Sequence, residues 1–145
     1  MRITKFSDYS LRILIYLASK PGNELSTISE ISKSFSISVH HVRSVVHKLG
    51  QLGYINSTQG KGGGFELASD ANKIFIGEVI KQTEKDFYLV ECYNPDGQCP
   101  IVNVCKLQHI LSDALEVFFE SLNQYTLEDL TSNKRNIMKA LGVHL

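Results

Sequence analysis

The fold is decided by residues 27–50, which have the sequence TISEISKSFSISVHHVRSVVHKLG. Thr27 begins a Ser/Thr-x-x-Glu capping box that ends on Glu30, and this pattern predicts the start of a short helix. Ser38 is a favourable N-cap for a second helix that runs to about Gly50. Two helices of this length joined by a tight turn are typical of a helix-turn-helix.

The second of these helices has one apolar and one polar face. Its predicted inward-facing residues are Val39, Val42, Val45, Val46 and Leu49. An α-helix fits the major groove of DNA, where side chains near its N-terminus contact base edges. We therefore predict a DNA-contacting set made of Ser38, His40, His41, Arg43, Ser44, His47 and Lys48. Arg43 is suited to guanine, and His47 and Lys48 to phosphates, although a solvated polar face would have the same composition.

The flanking segments complete a predicted head domain over residues 1–83. Ser7 or Asp8 is the predicted N-cap of a first helix, whose apolar pattern stops before Pro21. A further short helix is predicted over about 76–83. Together with the helix-turn-helix, these segments predict a mainly α fold.

A glycine-rich stretch at 59–64 lies between two short alternating segments and predicts a β-hairpin, or wing. Lys61, Gly62 and Gly63 at its tip are expected to approach phosphates or the minor groove. The stretch lacks the Walker pattern and does not open a helix, which disfavours a nucleotide-phosphate loop. The predicted head is therefore a winged helix-turn-helix.

The charge distribution agrees with a basic head, although chance unevenness would look the same. Residues 1–66 carry eight Lys or Arg against four Asp or Glu, and residues 67–145 carry seven against eleven. No apolar run approaches the roughly 18 to 20 residues that a membrane span needs. The N-terminus does not have the pattern of a signal peptide, so we expect a cytoplasmic protein without membrane contact.

The three cysteines of the chain, Cys92, Cys99 and Cys105, lie within fourteen residues on a predicted loop at 84–106. An odd, clustered set indicates metal or redox chemistry rather than a secreted disulfide framework. The spacing is not the C-x-x-C of zinc ribbons or ferredoxins. Three thiolates also leave a tetrahedral or cubane set incomplete, so a fourth ligand is needed. Three unlinked thiols remain the alternative.

A long helix is predicted over about 102–125, with Cys105 near its start, and a capped turn follows at Thr126. We predict that this helix and turn form a dimerisation element over 103–131. The seam expected against another helix consists of Val104, Leu107, Leu111, Leu115, Phe118 and Leu122. Further apolar residues widen the stripe, so part of the helix is expected to pack on its own head. Residues 132–145 are predicted to be a loosely held tail.

Seven motifs match those of one known family in order along most of the chain. They are 4–12 (TKFSDYSLR), 49–54 (LGQLGY), 60–64 (GKGGG), 89–92 (LVEC), 99–101 (CPI), 105–107 (CKL) and 125–130 (YTLEDL). On these motifs the sequence resembles the IscR/NsrR family of winged-helix iron–sulfur regulators, and within it the nitric-oxide-sensing repressors.

The resemblance implies a homodimer in which the three cysteines bind a 4Fe–4S cluster, or a 2Fe–2S cluster after exposure to oxygen. It also implies that Asp8 of the partner subunit is the fourth ligand and that Arg12 is its hydrogen-bonding companion. A plain N-cap role for Asp8 stays open. In IscR-like relatives a histidine three residues past the last cysteine completes the set, and Gln108 stands at that position here.

The implied function is that of a transcriptional repressor. It would bind a double-stranded DNA operator while its cluster is intact and lose affinity when nitric oxide nitrosylates or removes the cluster. A cluster-free thiol- or metabolite-responsive repressor of the same family is the alternative. No catalytic or cofactor motif supports an enzyme. The sequence departs from the family pattern at Gln59 and Val39, which weakens any inference about the operator sequence.

Overall fold

The computed structural model describes residues 1–22 and 24–144. Its elements, in chain order, are α1 (Lys5–Ser19), α2 (Ile28–Phe35), α3 (Val39–Gln51), β1 (Ile55–Thr58), β2 (Gly64–Leu67), α4 (Ile76–Thr83), α5 (Leu107–Leu122), α6 (Leu127–Leu130) and α7 (Lys134–Ala140). The predicted mainly α fold with a small wing is confirmed. Within the described residues, no helix is both long and apolar enough to span a membrane.

Helix α1 lies at the centre of the fold, where α3, α4, α6, α7 and β2 pack around it. The prediction that Ser7 or Asp8 caps this helix is wrong. Thr4 has the extended backbone of an N-cap, and its side chain accepts a hydrogen bond from the backbone N–H of Ser7. Ser7 is fully buried in the first turn, and Asp8 donates its N–H to the carbonyl of Thr4.

The helix-turn-helix forms as its capping residues predict. The capping box of α2 is complete, with Thr27 N–H 2.6 Å from Glu30 Oε2 and Glu30 N–H 3.2 Å from Thr27 Oγ1. Ser36 adopts the left-handed conformation in the turn, and Ser38 caps α3 by accepting the N–H of His41. The prediction that Val39 points inward is wrong, because this first residue of α3 leaves 45% of its surface exposed.

The wing is an antiparallel pair in which Ile55 opposes Leu67 and Thr58 opposes Gly64. The backbone of Ser26 exchanges two hydrogen bonds with Phe65, which attaches the wing to the segment before α2. A Cβ atom on Gly64 would lie 2.5 Å from the carbonyl oxygen of Ser26. Glycine is therefore required here by the close approach of two backbones.

Helix α5 begins at Leu107, later than predicted, because residues 101–104 form a turn. Val104, expected in the seam, is 81% exposed outside the helix. Part of the predicted seam faces the chain's own head instead. The buried side chains of Ile76, Ile80 and Phe119 contact three residues of this seam, which are Leu115, Phe118 and Leu122.

The C-terminal segment is ordered against the core. Thr126 and Asp129 form a capping box at the start of α6, where a capped turn was predicted. The prediction of a loosely held tail is wrong for α7, because Met138 is fully buried in the main core and α7 packs against α1. Leu141 and Val143 extend this contact. Leu145, the last residue of the predicted tail, lies outside the described residues.

Candidate DNA interface and cysteine loop

A groove of about 840 Å³ runs between α3 and the wing. Arg43 and His47 line its helical wall, while Gly63 lines the wing side. These are three of the predicted DNA-contacting residues, and the fold places them around one concave surface. Val39 lines the same wall as Arg43.

The groove also includes residues that were not predicted to contact DNA. They are Thr27, Ile28 and Ser29 at the start of α2, and Thr58 and Gln59 at the end of β1 and the tip of the wing. The start of the first helix of a helix-turn-helix lies near the DNA backbone in this class of domain, so the helix-turn-helix pattern itself could have indicated the first three.

The remaining predicted DNA contacts lie around the groove rather than in it. His40 and Ser44 are exposed on α3, and Lys61 and Gly62 are exposed at the tip of the wing. Gly60 and Gly62 have positive φ angles in this turn, which Gly63 N–H closes onto the carbonyl of Gly60.

Three predicted contacts have partners or positions away from the groove. Ser38 uses its hydroxyl as the N-cap of α3, and Lys48 is only partly exposed. The ring of His41 lies 6.1 Å from the ring of Tyr9 and so faces α1. His41 is thus placed at the contact between two helices.

Asp8 and Arg12 form an ion pair one turn apart on α1. Arg12 Nε donates to Asp8 Oδ1 at 3.0 Å, and Nη2 lies 2.8 Å from Oδ2. The guanidinium also lies over the ring of Tyr9, 5.9 Å from its centroid. A continuous series of contacts therefore leads from Asp8 through Arg12 and Tyr9 to His41 on α3.

The start of α2 carries a second ion pair, between Lys20 and Glu30. Partial burial of Glu30 opposes its ionisation. The backbone N–H of Thr27 and the ammonium group of Lys20 outweigh this effect, so the pKa of Glu30 lies below its ordinary value. The charged carboxylate therefore stabilises the first turn of the helix-turn-helix.

The three cysteines are free and partly exposed. Cys92 lies in a single 3₁₀ turn, Glu91–Tyr93, while Cys105 lies two residues before α5 and its sulfur accepts the N–H of Leu107 at 3.4 Å. The expectation that Cys105 lies in the first turn of the long helix is therefore wrong. Cys99 lies between them in irregular backbone.

Gln108 holds the cysteine loop against α5. Its side-chain Nε2 donates to the carbonyl of Cys92 at 3.0 Å, and its own carbonyl accepts the hydroxyl of Tyr93 at 3.0 Å. In the sequence Gln108 stands out only because it replaces a histidine of IscR-like relatives. Its role as the loop's anchor depends on contacts 15 and 16 residues apart, which no local pattern shows.

An iron–sulfur centre requires several donor side chains gathered around it. Across residues 1–22 and 24–144 no three His, Cys, Asp or Glu side chains gather into a metal-binding group. The chemistry of three free thiols on one loop nevertheless fits iron, for which thiolate is the usual ligand. A single chain in this conformation offers the ligands without assembling them.

The family model described as Rrf2, an iron-dependent transcriptional regulator, matches residues 3–133. The chain belongs to the Rrf2 family. It is 46% identical to the HTH-type transcriptional regulator NsrR of Bacillus subtilis (strain 168) over 142 residues, which cover 97% of each chain. This Rrf2 protein is therefore a DNA-binding transcriptional regulator of the NsrR type, and its relatives are named as regulators rather than enzymes.

Solved structures give the same fold. One is a transcriptional regulator from Listeria innocua, with a TM-score of 0.73 and 26% identity, covering 92% of this chain and 88% of that one. Another is CymR of B. subtilis, with a TM-score of 0.68 and 30% identity, covering 91% and 97% of the two chains. The winged-helix fold predicted from the sequence is therefore confirmed for this Rrf2 protein.

Proposed function

We propose that this Rrf2 protein is a homodimeric repressor that senses nitric oxide through a 4Fe–4S cluster. The observation that carries the proposal is the position of Asp8, the expected cluster ligand, on the helix that packs against α3. The contacts of Arg12 and Tyr9 extend from Asp8 to His41 at the start of α3. A change at Asp8 would thus act on the helix that contacts DNA.

The groove between α3 and the wing supports DNA as the partner. A base contact by Arg43 and a phosphate contact by Lys61 would place the N-terminal half of α3 in the major groove. His47 lies beside Arg43 in the same wall. Backbone N–H groups of the wing's glycines approach without side chains in the way, which suits phosphate.

The exposed face of α5 supports a dimer. Its exposed residues Leu107, Ile110 and Val117 follow one another at helical spacing, and Val117 leaves 63% of its surface uncovered. A second copy of α5 would remove this apolar surface from water. Two heads joined by such an interface would bind operator half-sites whose centres lie about one helical turn of DNA, or a multiple of it, apart.

The residues that would hold the cluster are Cys92, Cys99 and Cys105 of one chain and Asp8 of the partner subunit. When bound, the cluster supplies iron atoms that nitric oxide attacks. Gln108 positions the backbone of Cys92, while Arg12 orients the carboxylate of Asp8. A carboxylate is a weaker iron ligand than a thiolate, which suits a sensor that must release this ligand when its signal arrives.

The regulatory step is a change in how the two heads are held. With Asp8 bound at the partner's cysteine loop, the first turn of α1 is fixed and the spacing of the heads is set. Release of Asp8 lets the heads populate arrangements that fit the operator poorly. Operator affinity therefore depends on whether Asp8 is bound at the partner's cysteine loop.

The test begins with anaerobic purification, iron and sulfide analysis, and a nitric oxide titration followed by operator binding. We expect loaded protein to bind the operator and nitrosylated protein to bind it much more weakly. Asp8→Ala should reduce iron content, while Asp70→Ala, a control that also removes an exposed aspartate from an ion pair, should not. Equal operator binding by loaded and nitrosylated protein would contradict the proposal.

A cluster-free repressor that responds to thiols or metabolites is the second candidate. It is favoured by the absence of an assembled metal-binding group within the described part of the chain. The similarity of this chain to CymR, described as the global cysteine regulator of B. subtilis, also favours this second candidate. A colourless, iron-free protein with full operator binding would support this candidate over the first.

A further inference from the structure

Two polar contacts join the start of α1 to the end of α4. The backbone N–H and the hydroxyl of Thr4 both donate to Glu84 Oε1, at 2.8 and 2.9 Å. Beside them, the hydroxyl oxygens of Ser7 and Thr83 lie 2.8 Å apart in a buried contact. We call these four residues the α1–α4 clamp.

The hydrogen bonds of the clamp are mutually consistent. Thr83 lies 2.7 Å from the carbonyl of Val79 and can donate its only hydroxyl proton there, which leaves its oxygen free to accept from Ser7. Thr4 accepts the backbone N–H of Ser7 while donating to Glu84. Every polar group of the buried pair is therefore satisfied, so the contact fixes the geometry of both helices.

Glu84 completes a capping box from a distant part of the chain. In α2 and α6 the acid that accepts the N-cap N–H lies three residues later, at Glu30 and Asp129. In α1 the corresponding residue is Ser7, which has no carboxylate. Glu84, 80 residues away, accepts the N-cap N–H of Thr4 instead. The start of α1 thus depends on Glu84, the residue that directly follows α4.

The same residue begins the loop that carries the cysteines. Three residues later, the ring of Phe87 packs edge-on against Phe119 of α5 at 4.9 Å. Gln108 of α5 in turn holds the carbonyl of Cys92. The first part of the loop is therefore fixed to α5 at two points, and the clamp adds the first turn of α1 to this unit.

We propose that Glu84 is a positioning residue that couples the two cluster sites of the dimer. The inference rests on the proposed function, in which each site takes thiols from one chain and Asp8 from the other. Asp8 donates its N–H to the carbonyl of Thr4, so it lies one turn from the clamp. Loss of Asp8 from one site therefore shifts the start of the cysteine loop that serves the other site, and the two clusters are lost together.

The clamp itself is tested by hydrogen–deuterium exchange on the full-length, iron-free protein. In Glu84→Ala the amides of Thr4 and Ser7 should exchange about tenfold faster, because a charged acceptor is removed. Glu84→Gln keeps one acceptor oxygen and should lie between. Glu128→Ala, at an exposed position of α6, should leave these amides unchanged. Unchanged exchange in Glu84→Ala would overturn the inference.

The coupling is tested by native mass spectrometry of loaded dimers during a nitric oxide titration. In the wild type, dimers with one remaining cluster should stay scarce. In Glu84→Ala they should rise toward about half of all dimers at the midpoint, as expected for independent sites. Thermal unfolding of both proteins checks that the variant is folded.

The outcomes separate this inference from the proposed function. Loaded wild-type dimers that pass through abundant half-loaded species would overturn the coupling while leaving nitric oxide sensing intact. Wild-type dimers that never carry iron would overturn both, whatever the exchange experiment shows. Scarce half-loaded species in wild type and in Glu84→Ala alike would show coupling by another route and so overturn the role of Glu84.

Discussion

Arg12 binds both carboxylate oxygens of Asp8, with Nε 3.0 Å from Oδ1 and Nη2 2.8 Å from Oδ2. The two residues are one turn apart on α1, and nearly half of each side chain is exposed. Exposed pairs of this kind contribute about 0.3–0.5 kcal/mol to folding stability. The pair is therefore better understood as a device that orients Asp8 than as a support for the helix.

Arg12→Ala should change the free energy of unfolding by less than about 0.5 kcal/mol while lowering the iron content of purified protein. Urea unfolding and iron analysis measure the two effects. Lys73→Ala removes a comparable exposed ion pair with Asp70 and serves as the control. Full iron content in Arg12→Ala would show that Asp8 needs no such partner.

Arg43→Ala should weaken operator binding by about 1–3 kcal/mol and relax the base preference at one position in each half-site. The reason is that Arg43 lines the groove beside the wing, where a bidentate contact to guanine is possible. Binding to operators substituted one base pair at a time measures it. A uniform loss across all sequences would identify Arg43 as a phosphate contact instead.

Lys61→Ala should weaken binding to every sequence alike and reduce the salt slope of the binding constant by about 1. Lys61 is exposed at the tip of the wing between glycines, where a phosphate contact is expected. Titrations at several salt concentrations give the slope. Lys85→Ala, in the loop after α4, should leave the slope unchanged.

Met138→Ala should destabilise the protein by about 2–5 kcal/mol, because it removes a fully buried side chain from the main core. Equilibrium urea unfolding measures the change. Its neighbour Lys139 is exposed on α7, so Lys139→Ala is the matched control. A loss below about 1 kcal/mol for Met138→Ala would mean that α7 does not pack in solution.

Stability should fall in acid partly through Glu30. Its pKa is lower in the folded than in the unfolded chain, so its contribution is present above the ordinary pKa of 4.5 and is lost as the pH falls through the folded pKa. Glu30→Gln should therefore be less stable than wild type at neutral pH, with the difference shrinking at about pH 3. Urea unfolding at the two pH values tests this, with Glu66→Gln, exposed on β2, as control. An equal difference at both pH values would contradict the assignment.

The helix-turn-helix and wing could be predicted because their signals are local. The capping boxes of α2 and α6 each lie within four residues, and the buried positions of α3 recur at helical spacing. The start of α1 could not be predicted in this way, because the acceptor for Thr4 is Glu84. A capping box completed across 80 residues has no sequence pattern.

The C-terminal half shows the same limit. The apolar residues of α5 were recognised, but Leu115, Phe118 and Leu122 face α4 while Val117 does not, and only tertiary packing decides between these faces. In the candidate DNA interface, the sequence indicates which residue types are present but not which side chains they contact. His41 lies beside Tyr9, for example, and periodicity alone places it simply on a polar face.

Val39 leaves an apolar surface at the start of α3, in the same wall of the groove as Arg43. Its side chain cannot form a hydrogen bond with a base edge. The one apolar feature that the major groove presents is the C5-methyl group of thymine, and each Å² of apolar surface covered there contributes about 25 cal/mol. We therefore expect each operator half-site to carry an A·T pair next to the pair that Arg43 contacts, oriented so that its methyl group meets this valine.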